Sequence, residues 1–398
     1  MIAEDLTYSG FACPQVGMDK PFLDHLIVEH ARQTVEAFVE LRGTQLGNHG
    51  GGCVASTLVD WLPRAATFDT VWDLSFGELY ASLFSENEEE SVRAAAAVTL
   101  RLNEFGNEGD WQLQLPSPTR FCFDGWLLPL CDSIQVSAGT KTVSIRTGCA
   151  DVWQQNTFQH AAHGWKTTNV QALPSLTFEG NRLRVLTGEA LSRASQDRLL
   201  SADAYGVSHK SVDTETELLV CTSKAALGLI AEFADIYLPW VNQVVRNLVP
   251  LPERPGMQNS ASGNLSPGVI AVSNQPSRCV LAEMLVHEAT HHYLYILKRL
   301  GPIDDGTDET LYFSPFRNMG RPILYIVFAY HAFGNLLLFF RMLRERGLPA
   351  DEPGSNIDEQ IAKLEPQLKT LEVALQTTKA LTPLGRALWE PLYERIHA

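Results

Sequence analysis

The chain has 398 residues, 45% of them hydrophobic, and a formal net charge of −15 at pH 7. That length and apolar content allow one large core or two moderate ones, and they exclude disorder as the default state. The acidic balance excludes a nucleic-acid partner, because neutralising a phosphate backbone needs a surplus of Lys and Arg that is missing here; a neutral or basic peptide is compatible with it.

The opening stretch MIAEDLTYSGFACPQVGM has no basic start and no apolar run of signal-peptide length, so a cytoplasmic protein is expected. Seven cysteines (Cys13, Cys53, Cys122, Cys131, Cys149, Cys221 and Cys279) are scattered without a C-x-x-C pair and read as reduced, mostly buried small hydrophobes. Apolar residues at helical spacing predict helices over 18–42 and over 77–105. Between them, the Gly-rich GNHGGGC at 47–53 lacks a lysine and a clear preceding strand, so it does not read as a phosphate loop. The middle of the chain changes character. RFCFDGWLLPL, SIQVSAGTKTVSIRTG and SLTFEGNRLRVLTG are short β-rich runs broken by Gly, Asn and Thr turns, which predicts a small antiparallel sheet. His160 and His163 in FQHAAHGW have a spacing that could ligate a metal, but the turn residues around them favour an ordinary loop.

From about residue 222 the pattern is helical again, and SKAALGLIAEFADIYLPWVNQVVRNLVPL reads as one long helix or two broken at Pro239. A polar loop, PERPGMQNSASGNLSPG, leads to the extended run VIAVSN and then to a helix expected from near Ser277 to the Gly301-Pro302 stop. The next apolar segment, ILYIVFAYHAFGNLLLFF at 323–340, follows Pro322 and is long enough to be tested as a membrane span. His331 and Asn335 lie four apart on one face of it with Gly334 beside them. Such polar groups need partners inside protein, so the segment reads as the central helix of a soluble core and no membrane is expected. A linker at 349–356 precedes one or two amphipathic C-terminal helices. The expected class is therefore α+β, mainly helical: an N-terminal α+β region over 1–220 carrying the small sheet, and a helical metal-binding region over 221–398, the two being either separate or one continuous domain.

The chemistry concentrates in LAEMLVHEATHHYLYIL at 281–297. His287, Glu288 and His291 form H-E-x-x-H, with His292 alongside. Residues four apart share a helix face, so His287 and His291 can aim at one metal ion. The apolar residues around them imply burial, and a buried helix rarely carries three histidines and two glutamates without a use for them. Glu283, four residues before His287, is either a partner for that histidine or a helix-face charge. In a zinc peptidase Glu288 would be the general base, and a third ligand would come from elsewhere. The metzincin extension fails, because Leu294 and Leu297 stand where Gly and His are required. A downstream glutamate ligand would be Glu309, in a Gly- and Asp-rich loop; His331 on the following helix is better placed. Arg317 and Arg321 of YFSPFRNMGRP lie between the two helices. An arginine fork holds a carboxylate bidentately, which suits a dicarboxylate co-substrate better than a protease, although exposed loop charges are the plain alternative. An open metal with two or three protein ligands beside a carboxylate clamp describes the non-haem Fe(II) oxygenases that use 2-oxoglutarate.

SPGVIAVSN, LAEMLVHEATHH, YFSPFRNMGRPI and YHAFGNLLLFF, preceded by WVNQVVRNLVPL, together resemble the H-E-x-x-H proteins of ribosomal-peptide biosynthetic clusters, which are 2-oxoglutarate-dependent peptide β-hydroxylases. The resemblance covers about residues 236–345 and is weak over the first half of the chain. It implies that His287 and His291 bind iron, that Arg317 or Arg321 holds 2-oxoglutarate, and that the substrate is a residue of a precursor peptide. Two positions depart from the family: its downstream histidine stands about one turn earlier, at about Phe328 here, which leaves His331 as the candidate third ligand, and its tryptophan is Phe316. The expected function is thus an Fe(II)/2-oxoglutarate oxygenase that consumes O2, with Glu288 a ligand or an orienting group. The rivals are a Zn(II) peptidase using Glu288 as base and a catalytically silent peptide-binding scaffold.

Overall fold

The computed structural model describes residues 8–14, 20–65, 67–150, 152–162, 164–187, 190–191, 213–251, 259–273, 277–349 and 352–398. The N-terminal part is built from α1 (Ser9–Ala12), α2 (Lys20–Asn48), α3 (Gly52–Ala65), α4 (Phe68–Val71), α5 (Leu74–Ser82) and α6 (Glu88–Glu104). The helix expected over 77–105 is two helices. Asn87 starts the second one: its side chain accepts from the Glu89 amide at 2.9 Å, and Glu88, Glu89 and Glu90 follow in the first turn, where negative charge suits the helix dipole. GNHGGGC forms the end of α2, a turn and the start of α3, in keeping with its lack of phosphate-loop features.

One antiparallel sheet was expected, and the chain makes two larger ones plus a small three-stranded one. The first runs β1 (Gly109–Thr119), β4 (Cys131–Ala138), β5 (Thr142–Cys149), β6 (Val152–Ala161) and β7 (Gly164–Lys166), all antiparallel neighbours. In β1 alternate residues Trp111, Leu113 and Leu115 turn inward, the period-two pattern of a half-buried strand. The short β2 (Cys122–Phe123), β3 (Trp126–Leu127) and β8 (Gln171–Ala172) form the small sheet, β2 and β3 being joined by Asp124-Gly125 with both residues at positive φ (43° and 81°), the hairpin turn that Asp-Gly favours. The second large sheet is mixed, in the order β12 (Ser260–Ser262), β13 (Val269–Ser273), β11 (Asn247–Leu251), β10 (Asn181–Val185), β9 (Ser175–Phe178), and β10, β11 and β13 run parallel.

Two readings of the middle region change with this sheet. The stretch from 222 is two helices, α7 (Asp213–Phe233) and α8 (Tyr237–Val244), but the break falls before Tyr237. Pro239 lies in the first turn of α8, where its missing N–H has no intrahelical partner to lose. The following NLVPL is the strand β11, almost fully buried between neighbours on both sides, and the serine-rich end of the polar loop is β12.

The metal-motif helix, α9, spans Arg278–Lys298 and is capped by Ser277, whose hydroxyl accepts from the Val280 amide. A hairpin of β14 (Tyr312–Ser314) and β15 (Met319–Arg321) leads into α10 (Ile323–Glu345), followed by α11 (Ile357–Thr377) and α12 (Pro383–His397). Helix α10 is long and apolar enough to cross a membrane, but it packs against α9, α11 and α12, and its polar residues His331 and Asn335 are fully buried. One hydrophobic core runs from Phe11 to Ile396 through both halves of the chain, and α7 crosses the boundary expected at residue 220. The class is α+β and mainly helical, with twelve helices among the described residues. All seven cysteines are free; Cys13, Cys131 and Cys279 are buried as expected, whereas Cys53 and Cys221 are exposed.

Candidate metal centre

Helical spacing does bring His287 and His291 together. Their Nε2 atoms are 3.2 Å apart and their rings are nearly perpendicular. An ion bound to both nitrogens at ~2.1 Å, with a bond angle between the octahedral and tetrahedral values, needs them roughly 3.0–3.4 Å apart, so the pair has the spacing of two cis ligands. Burial lowers the pKa of both imidazoles, that of His291 to about 4, and they remain neutral donors of electron pairs at physiological pH. The Nδ1 of His291 is buried without a hydrogen-bond partner among the described residues.

The pair stands in an aromatic enclosure. Phe333 of α10 meets the His287 ring edge-on at 5.2 Å and is itself stacked on Phe316 at 3.6 Å, while Phe328 and Tyr295 flank His291 at 6.5 and 6.3 Å. Lys298 sets its ammonium over the Phe328 ring. These walls keep water away from one side of the pair.

Glu288 is buried, yet it does not face an open site. Its Oε1 accepts from the Ser260 hydroxyl and its Oε2 from the Ser262 hydroxyl, each at 2.6 Å. Burial pushes this carboxyl up, but His287, His291 and the two hydroxyls outweigh it and hold the group below the usual carboxylate range. Each oxygen thus holds one hydroxyl of β12 and keeps a lone pair for a further donor. The two serines lie two residues apart on a strand, hence on one face, and this alternation was the signal in the sequence that could have found them.

His331 lies within electrostatic reach of His291, and its Nδ1 is buried with no partner among the described residues. It is fully buried, and its Nε2–H donates to the Phe11 carbonyl at 2.8 Å, with the Ala12 carbonyl also acting on the ring; burial lowers its pKa to about 3. Asn335 donates to the Ala12 carbonyl, Trp240 to Gly10 and Arg395 to Pro14. Four carbonyls of the short α1 segment, too short to bond its own last turn, therefore take donors from α8, α10 and α12. At about 100° per residue, His331 lies about 130° around α10 from the direction midway between Phe328 and Phe333, the two side chains that do face the pair. Glu309 is exposed in its loop. Glu283 is pushed up to about 7 by burial, with Lys363 opposing. Among the described residues no group of three or more His, Cys, Asp or Glu converges as a metal site. The His287–His291 pair fits an ion at two positions.

The two arginines separate. The exposed Arg317 acts on His287 through space, one of the influences depressing that imidazole, whereas Arg321 sets its guanidinium over the Tyr325 ring at 4.1 Å. Of the other histidine pair, His160 lies on the outer part of β6, edge-on to Trp165, and His163 lies outside the described residues.

No protein-family model matches this chain, and no curated protein matches it in sequence.

Proposed function

We propose that the chain is a cytoplasmic, Fe(II)- and 2-oxoglutarate-dependent oxygenase that hydroxylates a β-carbon in a ribosomally made precursor peptide. The observation that carries this reading is the contrast between the convergent His287–His291 nitrogens and the withdrawn Glu288. A zinc peptidase of the H-E-x-x-H kind needs that glutamate turned to a metal-bound water, and here each of its oxygens is anchored by a serine hydroxyl of β12. An oxygenase makes no such demand on it. His287 and His291 would hold the iron; the bound iron with its co-substrate and O2 supplies the oxidising power that carbon–hydrogen cleavage requires. The balance is one 2-oxoglutarate, one O2 and one peptide C–H giving succinate, CO2 and a peptide C–OH.

The chain's own residues do the rest. Arg317 offers a fork for the distal carboxylate of 2-oxoglutarate. Phe316, Phe328 and Phe333 exclude water from the pair and hold the imidazole planes. Ser260 and Ser262 anchor Glu288, fixing the helix turn between the two histidines to the sheet. With two protein donors, more positions around the ion are left to co-substrate and O2 than in a three-donor site. A second reading, a peptide-binding scaffold without turnover, is favoured by one observation: Phe328 faces His291 where a third ligand from α10 would reach the ion.

The test is to incubate anaerobically purified protein with Fe(II), 2-oxoglutarate and a candidate precursor peptide, admit O2, and assay succinate and peptide mass. Succinate with a gain of one oxygen atom supports the hydroxylase. Peptide fragments that require zinc and no O2 refute it, and saturable peptide binding without turnover selects the scaffold.

A further inference from the structure

Many arginines of the molecule are balanced by carboxylates. In the largest cleft, about 700 Å3, Arg182 and Arg184 share Asp124, Arg246 takes Asp69, and Arg101 takes Asp73 and Glu104. Arg299, the C-cap residue of α9, is different. It lines a cavity of about 490 Å3 between α2, α5 and the end of α9, together with His30, Gln33, Thr34, Tyr80 and Asn264, and no Asp or Glu lines that cavity. Among the described residues no carboxylate pairs with it, and burial pulls the guanidinium down to about 10, which still leaves it charged. Its guanidinium carbon lies over the Trp72 ring, 5.3 Å from the centroid, so its neighbour is an aromatic ring and not an anion. Gln33 donates to Glu29, and that carboxylate is already gripped by Arg32.

A partly buried guanidinium without a counter-charge is costly to keep, and a cavity lined by donors beside it meets that cost if an anion is bound. We infer that this cavity is a binding site for a small molecule bearing an oxyanion, a carboxylate or a phosphate, seated on the Arg299 fork with the Tyr80 hydroxyl and the Asn264 amide beside it. The site is separate from the histidine pair and stands whether or not the oxygenase reading holds. It is nevertheless joined to the metal-motif helix: Arg299 lies over Trp72, and Trp72 meets the His292 ring edge-on at 5.6 Å.

The experiment is calorimetric titration of the full chain with inorganic phosphate and, separately, with glutarate. At least one gives saturable binding, and which one it is assigns the anion. Arg299→Met, which keeps an apolar contact to Trp72, weakens that binding at least tenfold. Asn264 is exposed, so Asn264→Asp leaves the fold alone and sets a competing carboxylate at the cavity, with the same loss. Absence of saturable binding by either anion, or binding indifferent to both substitutions, overturns the inference.

Discussion

Replacing Glu288 by Gln separates the oxygenase from the peptidase with one substitution, because the two readings assign that side chain different work. In the structure the carboxylate accepts two serine hydroxyls at 2.6 Å. Hydrogen bonds to a charged group contribute roughly 1.5–3 kcal/mol each, and ordinary ones about 1 kcal/mol. The glutamine amide keeps both contacts: its oxygen accepts one hydroxyl and its nitrogen donates to the other, which only has to rotate. The expected loss is therefore about 1–4 kcal/mol before the relief of burying one charge fewer, a fall of a few degrees in Tm for a chain of this size. Glu288→Ala strands both hydroxyls and opens a cavity, costing roughly 3–6 kcal/mol or more, on the scale of the whole stability of a domain. For activity, loss of a general base costs roughly 10²–10⁴ in rate. The assay is succinate formation and peptide mass on wild type and Glu288→Gln, with Tm on the same samples. Turnover within a few-fold of wild type at a slightly lower Tm is expected. A drop of a hundredfold or more at unchanged Tm would refute the assignment of Glu288 to an anchoring role and return it to the chemistry.

Other expectations follow from the same geometry. Arg317→Gln raises KM for 2-oxoglutarate at least tenfold while Arg321→Gln leaves it within about twofold, since the Arg321 guanidinium is spent on Tyr325; steady-state succinate kinetics on both decide it, and equal effects would contradict the sorting. Phe328→His puts an imidazole beside His291 and tightens Co(II) or Zn(II) binding at least tenfold, about 1.4 kcal/mol, read by metal titration; an unchanged affinity shows that this position does not point at the ion. Burial holds His30 and His331 at about 3 and His291 and His292 at about 4, below the ordinary 6.5, so the unfolded chain takes up these protons first as pH falls. Stability is then lost on going down from pH 6.5 towards 4, at about 1.4 kcal/mol per pH unit for each histidine. Glu283, raised to about 7, works the other way between pH 7 and 4.5 and offsets one of the four, leaving a net slope of about 4 kcal/mol per unit near pH 5. Urea midpoints of chelator-treated protein at pH 7, 6 and 5 measure it, and a flat series is incompatible with neutral buried histidines.

What was legible in the sequence was local, and what was not depended on partners far along the chain. Helix α9 could be read from end to end: Ser277 caps it, Gly301-Pro302 follows its end, and the His287–His291 spacing fixes one face of it without knowledge of anything else. The break between α5 and α6 was equally local, an Asn followed by three Glu, and a single 77–105 helix overlooked it. Strand β12 is another matter. Three residues, two of them serines, have no intrinsic reason to extend; they do so because β13 offers them a ladder and Glu288 offers them an acceptor. The third ligand was not legible for the same reason. A helix apolar nearly all round, as α10 is, carries little information about which side meets which neighbour, so His331 could not be aimed from its own surroundings. Its direction is decided by the Phe11 carbonyl, 320 residues earlier in the chain, because a buried peptide group without a donor is costlier than a buried ring that supplies one. His331 gives its Nε2–H to that carbonyl and keeps a buried Nδ1 with no partner among the described residues, while the Gly10, Ala12 and Pro14 carbonyls take donors from α8, α10 and α12. The side chains of α10 whose rings meet the pair are Phe333, against His287, and Phe328, against His291.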